Sequence, residues 1–99
     1  MNVYAKEIES LLKRINEVDK YSPDSAFNLR NLFTEYREIT GNLYQLDPHV
    51  YNVNGEYLND LIDKADLMID GKSFITRERN FNELKSWILF HLNKILENH

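Results

Sequence analysis

The chain has 99 residues with three glycines, two prolines, no cysteine and a formal net charge of −4 at pH 7. The absence of cysteine excludes disulfide scaffolds, thiolate zinc sites and cysteine nucleophiles. The longest apolar run extends from Trp87 to Phe90, whereas a helix needs about 20 apolar residues to cross a bilayer, and no signal-peptide pattern precedes Lys6. We therefore expect one cytoplasmic domain over residues 1–99, without membrane contact.

The first half of the sequence predicts two helices. Over residues 2–20, apolar side chains recur at steps of three and four, which places them on one helix face: Tyr4, Ile8, Leu11, Ile15 and Val18. Ser22 followed by Pro23 is typical of a helix start, because serine caps free N–H groups and proline suits the first turn. A second helix is therefore predicted over residues 23–46, with Gly41 as the alternative end.

The second half predicts two more helices, over residues 55–70 and 74–97. The inner face of the third comprises Leu58, Leu61, Ile62, Ala65, Met68 and Ile69. That of the fourth comprises Phe81, Leu84, Ile88, Leu92 and Ile95. Residues 50–53 are β-branched and aromatic, but a single such run has no strand partner, so we expect a packed loop. Four amphipathic helices with short connections favour an all-α, up-down four-helix bundle.

The third helix carries the whole net charge of the chain on its outer side. At about 100° per residue, five carboxylates fall within an arc of about 120° opposite the apolar stripe: Glu56, Asp60, Asp63, Asp66 and Asp70. Lys64 is the only basic residue of segment 56–70, which therefore has a net charge of −4. Like charges three or four residues apart destabilise a helix by about 0.2–0.5 kcal/mol per pair. The arrangement indicates either a solvated side or a binding surface.

Leu67 lies in the middle of this acidic arc, where a core residue is not expected. An apolar centre ringed by carboxylates is typical of a recognition surface for a basic protein. In size, charge and helical content, the chain resembles small acidic helical proteins that neutralise nucleases, such as bacterial immunity proteins, antitoxins and phage-encoded inhibitors. The resemblance implies an inhibitory protein-binding function, in which the acidic helix speeds the encounter with its partner.

The fourth helix offers a second candidate interface. Phe90 lies almost opposite the apolar stripe and Trp87 lies on its flank, so both side chains should be partly exposed in a bundle. Tryptophan is among the residues most enriched at binding hot spots. The alternatives are coverage by neighbouring elements or a homodimer interface, and the second of these would make the chain a structural or assembly protein.

No sequence pattern predicts catalysis, a metal, a cofactor or nucleic-acid binding. Nucleophile elbows, phosphate-binding glycine loops and His-Glu-x-x-His are missing, as is the Glu-x-x-His pair of dimetal bundles. His91 lies at the edge of an apolar stripe, which favours a partly buried structural histidine. Binding to nucleic acid requires lysine and arginine to neutralise phosphates, and the charged side of the third helix is acidic. We therefore expect a protein that is not an enzyme and whose partner is another protein.

Overall fold

The structure is a computed structural model that describes residues 4–46 and 55–97, except for the side chain of Glu56. Four helices account for nearly all of this part of the chain: α1 (Ala5–Asn16), α2 (Pro23–Leu46), α3 (Gly55–Asp70) and α4 (Phe74–Glu97). The predicted all-α four-helix bundle is confirmed, and so are the predicted ranges 23–46, 55–70 and 74–97. The loop predicted at residues 50–53 lies outside the described residues.

The first helix is shorter than its predicted range of 2–20, because α1 already ends at Asn16. Val18 packs against the core from non-helical backbone, and its carbonyl oxygen accepts a hydrogen bond from Nζ of Lys85 at 2.7 Å. The apolar spacing that predicted the first helix therefore continues to Val18, two residues after the helix has ended. Pro23 disfavours helical backbone at Ser22, the last residue of the non-helical connection 17–22 between α1 and α2.

Serine hydroxyls define the starts of two helices. Oγ of Ser22 accepts a hydrogen bond from the backbone N–H of Ser25 at 3.0 Å, as its position before Pro23 predicted. Oγ of Ser73 accepts one from the N–H of Thr76 at 3.1 Å at the start of α4. Each bond satisfies one of the N–H groups that a helix leaves unpaired at its amino end.

Side-chain contacts give the relative directions of α3 and α4. Tyr57, near the start of α3, contacts His91 with ring centroids 5.9 Å apart. Two turns further along α3, Nζ of Lys64 lies 2.9 Å from a carboxylate oxygen of Glu83. Because residue numbers rise along α3 as they fall along α4, the two helices are antiparallel.

The same reasoning places α2 parallel to α4. Tyr21, just before α2, contacts Phe74 at the start of α4 with ring centroids 5.3 Å apart, and Tyr36 contacts His91 further along both helices. The short connection of residues 17–22 reverses the chain between α1 and α2, which pack together. Successive helices therefore alternate in direction, as an up-down bundle requires.

One cluster of buried side chains fills the centre of the bundle. All five inner residues predicted for the fourth helix are buried: Phe81, Leu84, Ile88, Leu92 and Ile95. Those predicted for the third helix divide into a buried centre and a half-buried edge. Leu61, Ala65 and Met68 form the centre, and Leu58, Ile62 and Ile69 form the edge. The bundle therefore turns one side of α3 and α4 inward and leaves the other to solvent.

Candidate functional site

Four carboxylates of the predicted acidic arc, those of Asp60, Asp63, Asp66 and Asp70, are exposed along α3. Their direction follows from the opposite stripe of the helix, which packs into the core. The three ion pairs formed within residues 4–46 and 55–97 include none of these aspartates. The side chain of Glu56, the fifth member of the predicted set, lies outside the described residues.

Leu67 is 43% exposed, on the side of α3 that its sequence position predicted. Its carbonyl oxygen accepts a hydrogen bond from the N–H of Gly71 at 3.0 Å. A Cβ atom at residue 71 would lie only 2.5 Å from that same oxygen. Glycine therefore lets the chain pass close to the last turn of α3 before it enters α4.

Trp87 and Phe90 are 47% and 55% exposed, as their positions on the fourth helix predicted. Their rings meet edge to face, with centroids 6.1 Å apart. The indole of Trp87 also contacts the ring of Tyr57 on α3 at 6.1 Å. The tryptophan side chain is therefore positioned by the neighbouring helix while about half of its surface stays accessible.

Tertiary packing brings the two predicted interfaces side by side. Lys64 of α3 donates a hydrogen bond to Glu83 of α4. The side of α3 that carries Lys64 therefore lies next to the partly exposed side of α4 that carries Glu83. Asp60 and Leu67 precede and follow Lys64 by four and three residues, and positions with this spacing share one side of a helix. On α4, Trp87 follows Glu83 by four residues in the same way. We call this surface the α3–α4 face. It runs along the two antiparallel helices from Leu67, past the bonded pair Lys64 and Glu83, to Asp60 on α3 and Trp87 and Phe90 on α4.

The remaining aspartates lie further round α3. Asp63, Asp66 and Asp70 continue the exposed carboxylates away from α4. The α3–α4 face thus has carboxylates on one flank and an aromatic pair on the other, with Lys64 and Glu83 bonded between them at 2.9 Å. Its chemistry suits non-covalent recognition, since it combines exposed apolar surface with nearby negative charge.

A hydrogen-bonded cluster beneath this face was not predicted from the sequence. The hydroxyl of Tyr36 lies 2.6 Å from Nδ1 of His91, and the His91 ring also contacts Tyr57. Burial lowers the pKa of His91 and raises the pKa of both phenols. His91 is partly buried, as predicted. The signal for its partner was Tyr36 itself, a tyrosine among the buried apolar residues of α2, since a buried phenol requires a hydrogen-bond partner.

A second group of exposed apolar side chains was also missed. Phe27, Phe74 and Ile75 lie at the amino-terminal ends of α2 and α4 and are 46%, 55% and 73% exposed. The guanidinium carbon of Arg30 lies 5.1 Å from the Phe27 ring centroid. Phe27 is not among the buried residues of α2. Phe74 and Ile75 precede the inner stripe of α4.

Within the described part of the chain, no group of three histidine, aspartate or glutamate side chains is placed to hold a metal ion. No helix in that part combines the length and the apolar character required to cross a membrane. Comparison of the chain with protein-family profiles, with curated proteins and with solved structures finds no match.

Proposed function

We propose that this protein is a binding module that takes a basic protein partner on the α3–α4 face. The observation that carries the proposal is that exposed carboxylates and Leu67 on α3, and the exposed rings of Trp87 and Phe90 on α4, belong to two helices in direct contact. Interfaces of this kind combine an apolar centre, which supplies most of the affinity, with a charged rim.

The charge distribution supports a basic partner. The exposed aspartates of α3 form no ion pair with other described residues, and segment 56–70 accounts for the net charge of the chain. Repulsion between these side chains costs the isolated protein stability, and a partner rich in lysine and arginine would relieve it. Such a field also raises the rate of encounter at low ionic strength.

The aromatic pair supplies the apolar anchor. Trp87 is held by Tyr57 of α3, so little side-chain entropy is lost when a partner covers it. Nζ of Lys94 lies 5.5 Å from the ring centroid of Phe90, which indicates that this ring accepts a cation on its surface. A lysine or arginine of the partner could use the same aromatic surface.

Proteins that act on nucleic acid have positively charged clefts, and they are the class of partner that this surface fits. A module that covers such a cleft with carboxylates and aromatic rings would inhibit the partner by occlusion. The proposed function is therefore that of an inhibitor, immunity or antitoxin-type protein, with the partner itself left to experiment.

The test compares charge reversal on α3 with an equal charge change elsewhere. In the variant D60K/D63K, two exposed aspartates of α3 become lysine. The control E7K/E9K makes the same charge change at exposed glutamates of α1. Each protein is immobilised and used to capture partners from the native lysate at low and high salt, with quantification by mass spectrometry.

We expect the wild type and E7K/E9K to capture the same amount of a basic protein. Capture should be lost in D60K/D63K and in W87A/F90A, and for the wild type at high salt. The purified form of this basic protein should then bind with an association rate at least tenfold lower for D60K/D63K. Equal capture by all variants would overturn the proposal. Analytical sedimentation distinguishes the proposed function from the assembly alternative. If the wild type is a tight homodimer and W87A/F90A is a monomer, the aromatic pair serves self-association.

A further inference from the structure

The end of the bundle at which α2 and α4 begin contains an open groove of about 470 Å³, which we call the amino-end groove. It is lined by Ala26 of α2 and Met68 of α3, which are both buried, and by the rings of Tyr21, Phe27 and Phe74. Its volume falls within the range of about 300–1,000 Å³ that is typical of ligand pockets. The groove therefore offers a partner a preformed apolar site.

Contacts within the bundle hold the rings of this groove in place. Tyr21 meets the rings of Phe74 and Phe81 edge to face, with centroids 5.3 and 5.6 Å apart, and its hydroxyl accepts a hydrogen bond from Nε of Arg77 at 3.0 Å. Few side chains have to be ordered when a partner covers them, which lowers the entropic cost of binding. Ile75 follows Phe74 and is 73% exposed, so apolar surface extends beyond the groove. That extent suits a peptide segment better than a small molecule.

Arg77 is the only charged residue among those that the structure describes along the groove. Its Nη1 donates a hydrogen bond to the carbonyl oxygen of Gly71 at 2.7 Å, so both of its hydrogen-bond acceptors are uncharged. The ion pairs formed within residues 4–46 and 55–97 do not include Arg77. A guanidinium has five N–H donors, and those beyond these two bonds are available to a carboxylate.

The position of Arg77 in α4 adds to the preference for an anion. The first turn of this helix has no acidic residue, although the amino end of a helix favours negative charge and disfavours a cation. Asp24, Asp70 and Glu78 belong to the same end of the bundle, but none of them lines the groove. A carboxylate beside Arg77 would therefore gain both from its charge and from the helix dipole.

The residues of the chain that the structure does not describe provide no carboxylate to Arg77. Residues 1–3, 47–54 and 98–99 are attached at the opposite end of the bundle, where α1 and α3 begin and α2 and α4 end. The two ends of α2, a helix of 24 residues, lie about 36 Å apart at 1.5 Å per residue. Even a fully extended connection of this length, tied at both ends, reaches only about 16 Å from its attachments.

We propose that the amino-end groove binds a peptide segment of another protein in which an apolar side chain lies next to aspartate or glutamate. The apolar side chain would cover Phe27 and the neighbouring rings, and the carboxylate would pair with Arg77 in the two-point geometry that guanidinium groups favour. Arg30, whose guanidinium carbon lies 5.1 Å from the Phe27 ring centroid, adds positive charge at the rim. This acidic partner differs from the basic partner of the α3–α4 face, so the inference does not rest on the proposed function.

The test starts from a library of random peptides of about 12 residues displayed on phage and selected on the intact wild-type protein. Enriched peptides are synthesised with a fluorescent label, and their dissociation constants are measured by fluorescence anisotropy. Phe27→Ala removes a ring from the groove. Tyr44→Ala is the matched control, because Tyr44 is also 46% exposed and lies near the other end of α2.

We expect a class of enriched peptides in which phenylalanine or leucine lies next to aspartate or glutamate. The dissociation constant of these peptides should rise at least tenfold in Phe27→Ala and stay within twofold of the wild-type value in Tyr44→Ala and in D60K/D63K. Enriched peptides that do not depend on Phe27, or that depend on it but carry no acidic residue, would overturn the inference. Loss of binding in D60K/D63K alone would also overturn it, since the peptides would then occupy the α3–α4 face.

The charge requirement is tested from both sides of the contact. Arg77→Gln should weaken the acidic peptides at least tenfold, whereas Arg79→Gln, at an exposed position that does not line the groove, should not. Peptides with glutamine and asparagine in place of their acidic residues should bind the wild type at least tenfold more weakly. This second comparison decides the question if Arg77→Gln does not fold, and equal binding of the two kinds of peptide would overturn the inference.

Two other occupants of the groove would be recognised by their dependence on Phe27. A homodimer of the wild type that Phe27→Ala dissociates in analytical sedimentation would assign the groove to a second copy of the chain. Vesicles of phosphatidylglycerol that bind the wild type but not Phe27→Ala would assign it to a lipid surface. Either result would overturn the peptide-binding inference and leave the proposed function of the α3–α4 face untouched.

Discussion

The hydroxyl oxygen of Tyr36 lies 2.6 Å from Nδ1 of His91, which follows it by 55 residues in the chain. Tyr36 has no exposed surface, so its hydroxyl cannot bind bulk water and needs a partner within the protein. His91 supplies that partner from the facing helix. The bond joins α2 to α4 directly beneath the surface proposed for binding, and it links the stability of the bundle to that surface.

Replacement of Tyr36 by phenylalanine should lower the free energy of unfolding by about 1–2 kcal/mol, because Nδ1 of His91 loses its buried partner while the ring volume is retained. Urea denaturation measures the change. Tyr44→Phe is the matched control, since Tyr44 is 46% exposed, and it should stay within about 0.5 kcal/mol of the wild type. Equal effects at the two positions would contradict a structural role for the bond.

Acidification should destabilise the protein through His91. Burial lowers the pKa of His91 in the folded protein, while in the unfolded chain it titrates near 6.5. Between these two values the unfolded state binds more protons, so the free energy of unfolding falls as the pH falls. The contribution of the neutral ring is complete above pH 6.5 and is lost as the pH falls through the folded pKa.

Urea denaturation at pH 7.5, 6.5 and 5.5 checks this prediction. The dependence on pH should be weaker in His91→Gln, because glutamine does not titrate. If the variant and the wild type lose stability in parallel over this range, the dependence arises from other groups.

Two glycines should respond to alanine in opposite directions. Gly41 lies within α2, and a Cβ atom there would meet nothing within 4 Å, so Gly41→Ala should stabilise the protein by about 0.5–1 kcal/mol through helix propensity. At Gly71 the added atom would lie 2.5 Å from the carbonyl oxygen of Leu67. Gly71→Ala should therefore destabilise it by about 1–3 kcal/mol, since backbone has to move. Thermal denaturation of both variants would give the two signs, and a fall in both melting temperatures would contradict the assignment for Gly41.

The negative charge at the carboxyl end of α3 should lower the free energy of unfolding. Asp70 is the last residue of α3 and is exposed, where its charge opposes the helix dipole. Asp70→Asn should therefore raise the free energy of unfolding by about 0.3–1 kcal/mol at low salt, with a smaller gain at high salt. The control is Asp24→Asn, because Asp24 lies in the first turn of α2, where a negative charge is favourable and its removal should destabilise.

A stabilising effect of Asp70→Asn would mean that the protein keeps a carboxylate at a position where it lowers stability. That outcome would agree with a role of the acidic side in binding. A destabilising effect would contradict the unfavourable charge–dipole interaction and weaken the argument for a basic partner.

Spacing along the chain predicted the approximate ranges of three of the four helices, and the structure agrees with them. The range of α2 followed from the Ser22-Pro23 start and from the apolar residues Leu43 and Leu46, which continue the helical spacing beyond Gly41. The same rhythm was misleading at the end of α1, because Val18 reaches the core from irregular backbone after the helix has ended at Asn16. Periodicity reports which side chains face inward, and a side chain can do so without belonging to a helix.

The local sequence alone predicted the all-α bundle, the inward stripes of α3 and α4, and the outward direction of Leu67 and Phe90, because a helix fixes the relative directions of side chains a few residues apart. That no neighbouring described element covers Trp87 and Phe90 completely is a result of the packing. Only the tertiary structure decided which helices lie next to one another. It placed Tyr57 of α3 against Trp87 of α4, and it brought Tyr36 to His91. These neighbours are far apart in the chain, and their contact depends on the packing of whole helices, which no local spacing encodes.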